Sequence, residues 1–371
     1  MTDDALTYRI AFSMIRGIHA ASGMELLTRL GGCPQTYFEM NPQDLHALTG
    51  LDVALCEAGY RQRLLDRARR ETEFVTNHGL KCLFADDPRY PHLLSECEDA
   101  PVMLYTKGDA DLNAVHPISV VGTRRCTAYG QEFTAGFISE LAETVDDLVV
   151  VSGLAYGIDI AAHRAALKAG VSTIAVMAVP LNTIYPAEHR HDAMEILSAG
   201  GALVTEYHSE SIVHRANFLG RNRIIAGLSR ATIVVESDCK GGAMSTAAMA
   251  LEYNREVFAV PGRAFDNMSR GCNSLISGQR AQLLTCADEF VDAMGWPHRK
   301  VEGTQGTLAL ELSEPQLKLL GLIENNPGYN VNRLAREMQC TYPEISDMLF
   351  RLQMLEQVRA MPGGTFTIIH Q

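Results

Sequence analysis

Between residues 117 and 260, short apolar runs alternate with longer stretches in which apolar positions recur every three or four residues. The runs are PISVVG, DLVVVSG, STIAVMAV, GALVTE, ATIVVES and EVFAVPG. Being β-branched or apolar on both faces, they read as strands covered by helices on either side. The intervening YGQEFTAGFISELAET, IDIAAHRAALKAG and MSTAAMALEYNRE have helical length and spacing. Six strands in a βαβ series predict an α/β fold built on one doubly wound parallel sheet.

The flanks are patterned differently. Residues 1–68 read as short helices broken by glycines, and IRGIHAASGMELLTRL and LHALTGLDVALCEAG resemble helix-hairpin-helix units. Their turns carry no Lys or Arg, so a small helical interaction module (SAM-like) is the other reading. Residues 69–296 form the sheet domain, entered through KCLFADDPRYPHLLSECEDAPVMLYTKGD, whose short apolar runs and Pro/Asp turns read as strands and loops. The polar, Gly-containing residues 297–309 read as a linker. Residues 310–371 read as three helices and a hairpin with the tip PGG, an order that resembles a winged helix.

Composition narrows the function. With 32 Lys/Arg against 44 Asp/Glu, the net charge of −12 disfavours indiscriminate nucleic-acid binding, which needs a local cation excess. That excess exists in one place: HRANFLGRNRIIAGLSR holds Arg215, Arg221, Arg223 and Arg230 with no acid. The nine cysteines contain no CxxC pair, which argues against a disulfide framework and a zinc ribbon. No apolar run approaches the roughly 20 residues of a membrane helix, and MTDDALTYRI carries acids where a signal peptide would be basic. A soluble cytoplasmic protein without membrane contact is expected.

Glycines fall where the strands end. Gly122-Thr123-Arg124 follows the first run and Gly153 the second, while Lys240-Gly241-Gly242 and Pro261-Gly262-Arg263 follow the fifth and sixth. In an open parallel sheet ligands bind at that rim, where glycine lets backbone approach an anion and Arg or Lys supplies charge. A phosphate-bearing ligand is expected. There is no GxGxxG after a strand and no GxxxxGK[ST], so neither a bound dinucleotide nor hydrolysed ATP is supported and no cofactor is expected. Phe218, beside the arginines, could stack on a base as single-strand grooves require. The bland alternative is an amphipathic helix with solvated or salt-bridged arginines.

Taken in order, SVVGTRRCTAYG, VVSGLAYGIDIAAHRAAL, YPAEH, LVTE, FLGRNRIIAGLS, IVVESDCKGGAMSTAAMALEYNREVFAVPG and GCNSLI resemble the DNA-processing protein A family, DprA or Smf. The resemblance implies an extended Rossmann-like core flanked by a small helical N-terminal domain and a C-terminal winged helix. It implies a non-enzymatic, usually homodimeric protein that binds and protects single-stranded DNA and loads RecA recombinase on it during natural transformation. Carried over residue by residue, Arg124 and Lys240 match the family's phosphate-contacting cations. Gly122, Thr123 and Gly153 match its backbone phosphate cradle, with Gly241 and Gly242 in the Lys240 loop. Phe218, Arg221, Asn222 and Arg223 match its Phe-x-x-Arg-Asn-Arg stretch. The chain departs from the pattern at Tyr156, Ala178, Pro180, Asn182, Leu219 and Gly241.

Two constellations have other readings. Asp159 and His163, four apart on a helix, share a face and could pair as a base and its orienter. Otherwise Asp159 serves the helix N-terminus and His163 a polar core contact. His189 and His191 lack further ligands at metal spacing, so a solvated loop and no metal are expected. A rival enzyme reading comes from LOG-like phosphoribohydrolases, whose PGGxGTxxE loop KGGAMSTAAM resembles. Ala248 and Met249 stand where the carboxylate belongs. A nucleotide-sensing module is the third reading.

Overall fold

The computed structural model describes residues 3–299, 313–326, 329–354, 357–361 and 365–368. They belong to two compact units, one ending at Arg299 and the other beginning at Lys300.

Six helices open the first unit: α1 (Asp3–Ser13), α2 (Ala20–Arg29), α3 (Pro34–Glu39), α4 (Pro42–Thr49), α5 (Val53–Cys56) and α6 (Ala58–His78). Gly50 and Gly79 end α4 and α6 in left-handed geometry, which is why the pattern breaks at glycines. The helical core of Phe12, Tyr37, Leu45, Leu65 and Val75 continues without a seam into Phe84, Val102, Met103 and Tyr105 of the sheet domain. This corrects the boundary expected between residues 68 and 69, which falls inside α6. Glu71, 2% exposed, makes the join polar as well. Its carboxylate accepts the Ser209 N–H at 2.9 and 3.0 Å and the Ser209 hydroxyl at 2.5 Å. Burial raises its pKa against the opposing pull of those bonds.

The sheet follows as β1 (Lys81–Phe84), α7 (His92–Ser95), β2 (Met103–Gly108), β3 (His116–Val121), α8 (Ala128–Thr144), β4 (Leu148–Ser152), α9 (Ile158–Lys168), β5 (Ser172–Val176), α10 (Arg190–Ser198) and β6 (Ala202–Thr205). It continues through α11 (Arg215–Gly227), β7 (Ala231–Val234), α12 (Gly242–Glu252), β8 (Glu256–Ala259), α13 (Arg270–Ser277), β9 (Gln282–Leu283) and α14 (Ala287–Met294). The nine strands lie in the order β1-β2-β6-β5-β4-β3-β7-β8-β9. From β6 to β9 every pairing is parallel, and all six strands read from the pattern are present. Two further strands extend one edge in the opposite sense: β2 joins β6 antiparallel, and β1 joins β2 antiparallel.

Phe137, Ile138, Ile158, Ala162 and Phe290 of α8, α9 and α14 cover one face of the sheet. Ile224, Ile225, Ala243 and Ala247 of α11 and α12 cover the other. This is the doubly wound, Rossmann-like arrangement. The chain order reverses between β3 and β7, and the crevice beyond their carboxyl ends is where such sheets take ligands. Among the described residues no helix is long and apolar enough to cross a membrane.

The second unit contains α15 (Glu314–Asn325), α16 (Val331–Met338), α17 (Tyr342–Met354) and the antiparallel pair β10 (Val358–Met361) and β11 (Thr365–Ile368). Leu319, Ile323, Leu334, Ile345, Leu349 and Leu352 form its core. Residues 300–309 of the expected linker and the tip Pro362-Gly363-Gly364 lie outside the described residues. Residues 297–299 belong to the first unit, where Arg299 pairs with Asp146 at 2.9 Å.

Candidate nucleic-acid interface

The loop after β3, carrying Arg124, and the loop after β7, carrying Lys240, flank the reversal point. Beside them a cleft opens between the ends of β3, β4 and β5 and the start of α11. Its walls include Arg124, Gly153, Tyr156, Tyr185, Phe218 and Arg221, and none of its lining residues is acidic. Arg124 is exposed and pairs with no carboxylate among the described residues. Its guanidinium lies over the Phe218 ring, 5.6 Å from the centroid, where the ring quadrupole attracts a cation. Phe218 is half-buried and meets Tyr185 edge-on at 5.2 Å. Three rings and two arginines thus share a cleft in an otherwise acidic chain.

Arg221 works from below. It is 4% exposed, and its Nη1 donates to the carbonyls of Gly153 at 2.7 Å and Val176 at 2.5 Å. A Cβ on residue 153 would lie 2.5 Å from the Arg221 Cζ, so a side chain there would push the guanidinium off its two carbonyls. Burial lowers the Arg221 pKa, and nearby Asp159 offsets part of that effect. Asp159 is buried in turn. Its pKa is raised by desolvation and pulled back by Arg221, Arg124 and the backbone of Ala155 and Gly153.

Three of the backbone N–H groups expected in the cradle are engaged within the protein. Thr123 donates its N–H to the Glu236 carbonyl at 2.6 Å and Gly241 to Asp238 at 2.8 Å, so neither is free for a phosphate. Gly153 meets Asp159 and Arg221 instead. Gly122 is required by packing, because a Cβ would come within 2.7 Å of the Ile158 Cβ. Arg223 does not line the cleft and pairs with Glu206 at 2.5 Å and Asp99 at 3.8 Å. Asn222, 8% exposed, points its Nδ2 at the Gly242 carbonyl, 3.5 Å away. Lys240 is exposed, and Gly242 has open space around it at the start of α12.

Asp159 and His163 do not pair. The His163 Nε2 accepts the Leu154 N–H at 3.3 Å, and its Nδ1 donates to the Thr173 hydroxyl at 2.7 Å, which donates onward to the Val150 carbonyl. That tautomer is neutral, and burial together with Arg221 pushes the His163 pKa down to about 3. The expected solvated loop is corrected at His189, which is 5% exposed and bonds the Leu154 carbonyl at 2.8 Å. Two histidines therefore hold both backbone groups of Leu154, a residue in the left-handed region at φ 56°. Its backbone links β4 to the cleft. His191 is exposed, and among the described residues no cluster suits a metal.

Two contributors escaped the sequence. Tyr185 belongs to YPAEH, a motif noted without a role for its ring. Glu236 is 2% exposed, and its carboxylate accepts the Thr127 N–H at 2.8 Å and hydroxyl at 2.6 Å. It thereby sets a fixed negative charge beside the N-terminus of α8, which disfavours an outside anion there.

Known proteins share this arrangement of strands and motifs. A Mycobacterium tuberculosis relative bearing the DprA name is 39% identical over 247 residues, 63% of this chain, and the matched part spans 62% of that relative's length. The crystal structure of DNA processing protein A from Streptococcus pneumoniae is similar with a TM-score of 0.65 and 32% identity, covering 79% of this chain and 98% of that one. A Helicobacter pylori DNA processing protein A, described for its single-stranded DNA binding mode, gives 0.52 and 30%, covering 58% and 95%. Residues 81–295, more than half of the sequence, match the profile of DNA recombination-mediator protein A. The chain belongs to that family.

Proposed function

We propose that the chain binds single-stranded DNA along the carboxyl edge of its sheet, without catalysis, and delivers it to a RecA-type recombinase during natural transformation, acting as a homodimer. One observation carries the reading. Arg124, an unpaired cation, lies over Phe218 in an acid-free cleft at the reversal point. Cations that follow a backbone and rings that stack on bases are what a sequence-tolerant single-strand site needs. Because the N–H groups of Thr123, Gly153 and Gly241 are engaged, phosphate contact rests chiefly on Arg124 and Lys240.

The phosphoribohydrolase reading finds less support. Helix α12 carries no carboxylate before Glu252, and Thr246 is 2% exposed. We read the second unit as a winged helix that serves protein contacts, since α17 presents Glu344 and Asp347 against the one cation Arg351.

Fluorescence anisotropy with a labelled single strand, its duplex and a competing mononucleotide tests the proposal. Preferential single-strand binding that weakens with salt is expected, with a slope of about −0.7 per phosphate contact. Equal competition by the mononucleotide would favour a nucleotide sensor. Recombinase filament growth on coated single strands, with and without the protein, tests delivery.

A further inference from the structure

The loop after β8 shows a ring to solvent and holds it there. Phe265 is 98% exposed. Its loop is not loose: Asp266 donates its N–H to the Arg263 carbonyl at 3.1 Å, and Ser269 to Asp266 at 3.1 Å. The Asp266 Oδ1 accepts the Met268 N–H at 3.1 Å. At its base, Gly262 and the Asn273 amide exchange bonds of 3.2 and 3.0 Å. The loop is also fixed to the Lys240 loop. Ser237 donates to the Met268 carbonyl at 2.7 Å and accepts the Gly271 N–H at 2.8 Å. A tethered turn that leaves a phenylalanine in water is a shaped surface awaiting an apolar or π partner.

Charge says which partner. Lys240 and Arg263 are exposed and pair with no carboxylate among the described residues. The acids close by are engaged, Asp238 with Arg270 at 3.4 Å and Asp266 within its own turn. Tyr129, 48% exposed, stands at the loop base and donates its hydroxyl to the Pro261 carbonyl at 3.0 Å. Sheet order places β8 three strand spacings from β4, about 14 Å along the same edge. A polyanion leaving the Phe218 cleft past Arg124 and Lys240 would arrive at Arg263 and Phe265.

We propose that Phe265 is a second base-stacking platform, which extends the site from the Phe218 cleft across the reversal point to the loop after β8. The inference rests on the single-strand reading and adds a footprint longer than the cleft.

The test uses the full chain and thymidylate oligonucleotides of about 4 and about 16 nucleotides, lengths that bracket single-domain footprints. Phe265→Ala is expected to lose about tenfold in affinity for the longer strand and nothing for the shorter, whereas Arg124→Ala loses on both. In Phe265→Trp the new indole is expected to be quenched by the longer strand alone. The native Trp296 packs on His116 and Phe290 at the opposite end of β3 and supplies a constant background. Unchanged affinity of Phe265→Ala at both lengths, with no quenching, overturns the proposal. So does a change in association state alone, which would make Phe265 a protein contact. If the wild type binds neither strand, the single-strand reading itself fails and takes this inference with it. Full exposure of the ring means that both variants should keep the wild-type Tm.

Discussion

Arg221 fills the space in which a side chain on Gly153 would lie. The two residues are 68 positions apart, and their contact joins α11 to the end of β4. Gly153→Ala is expected to lower stability by about 1–3 kcal/mol in urea denaturation, the cost of overpacking a closed site. Arg221→Ala should cost at least about 1–3 kcal/mol, because it leaves the Gly153 and Val176 carbonyls without their buried donor.

Arg124 and Arg223 should behave oppositely. Arg124→Ala is expected to keep its Tm and lose about 1.5–3 kcal/mol of single-strand affinity, with the salt slope reduced by about 0.7. Arg223→Ala should leave affinity per folded molecule unchanged and lower Tm, since it abandons Glu206 and Asp99. Anisotropy and thermal melting on the same samples separate the two behaviours.

Phe218→Ala should weaken single-strand binding by about 1–3 kcal/mol through lost stacking. Its ring is half-buried beside Tyr185, so a modest fall in Tm accompanies the loss. A fall in Tm with unaltered affinity would make the ring a packing residue only.

Acid should unfold the protein partly through His163. The unfolded ring takes a proton below its ordinary pKa of about 6.5, while the folded ring resists until about 3. Stability is therefore complete above pH 6.5 and falls as the pH drops toward 3, by about 2 kcal/mol between pH 7 and 5 from this group. His208, whose pKa burial lowers to about 4, acts in the same sense. His163→Asn should start less stable and show a flatter pH profile by denaturant titration.

Deleting residues 300–371 removes a unit with its own core and its own excess of acids. Single-strand affinity should stay within about threefold, or under roughly 0.7 kcal/mol. A tenfold loss in anisotropy would show that the second unit touches DNA.

The parallel strands were legible because runs that are β-branched and apolar on both faces suit little besides a strand covered by helices on either side, and strand ends then located the rim. β9 has two residues and leaves no periodicity to read. β1 and β2 could be recognised as strands, but β6, the strand on which β2 docks, lies about a hundred positions away. At the candidate site, residue type was enough to single out Arg124 and Phe218, which share one cleft. Helical phase alone sets Arg223 on the other side of α11 from Phe218 and Arg221, toward Glu206. The engaged N–H groups of Thr123 and Gly241 were invisible, since a glycine-rich loop reads alike whether its donors face a ligand or a neighbouring carbonyl. Glu236 caps a helix 109 positions earlier, and no local spacing marks such an acid.

The bond between Glu71 and Ser209 bears on where the molecule can be cut. The segment that matches the family begins at residue 81, which suggests a minimal binding fragment starting there. Such a fragment would lose the only carboxylate bonded to Ser209 among the described residues, and it would bare Phe84, Met103 and Tyr105 to water. Ser209 lies six residues before α11, the helix that carries Phe218 and Arg221. Shortening the chain at its front would thus disturb the cleft at second hand, and the smallest autonomous piece that keeps the site whole has to retain the helices ahead of β1.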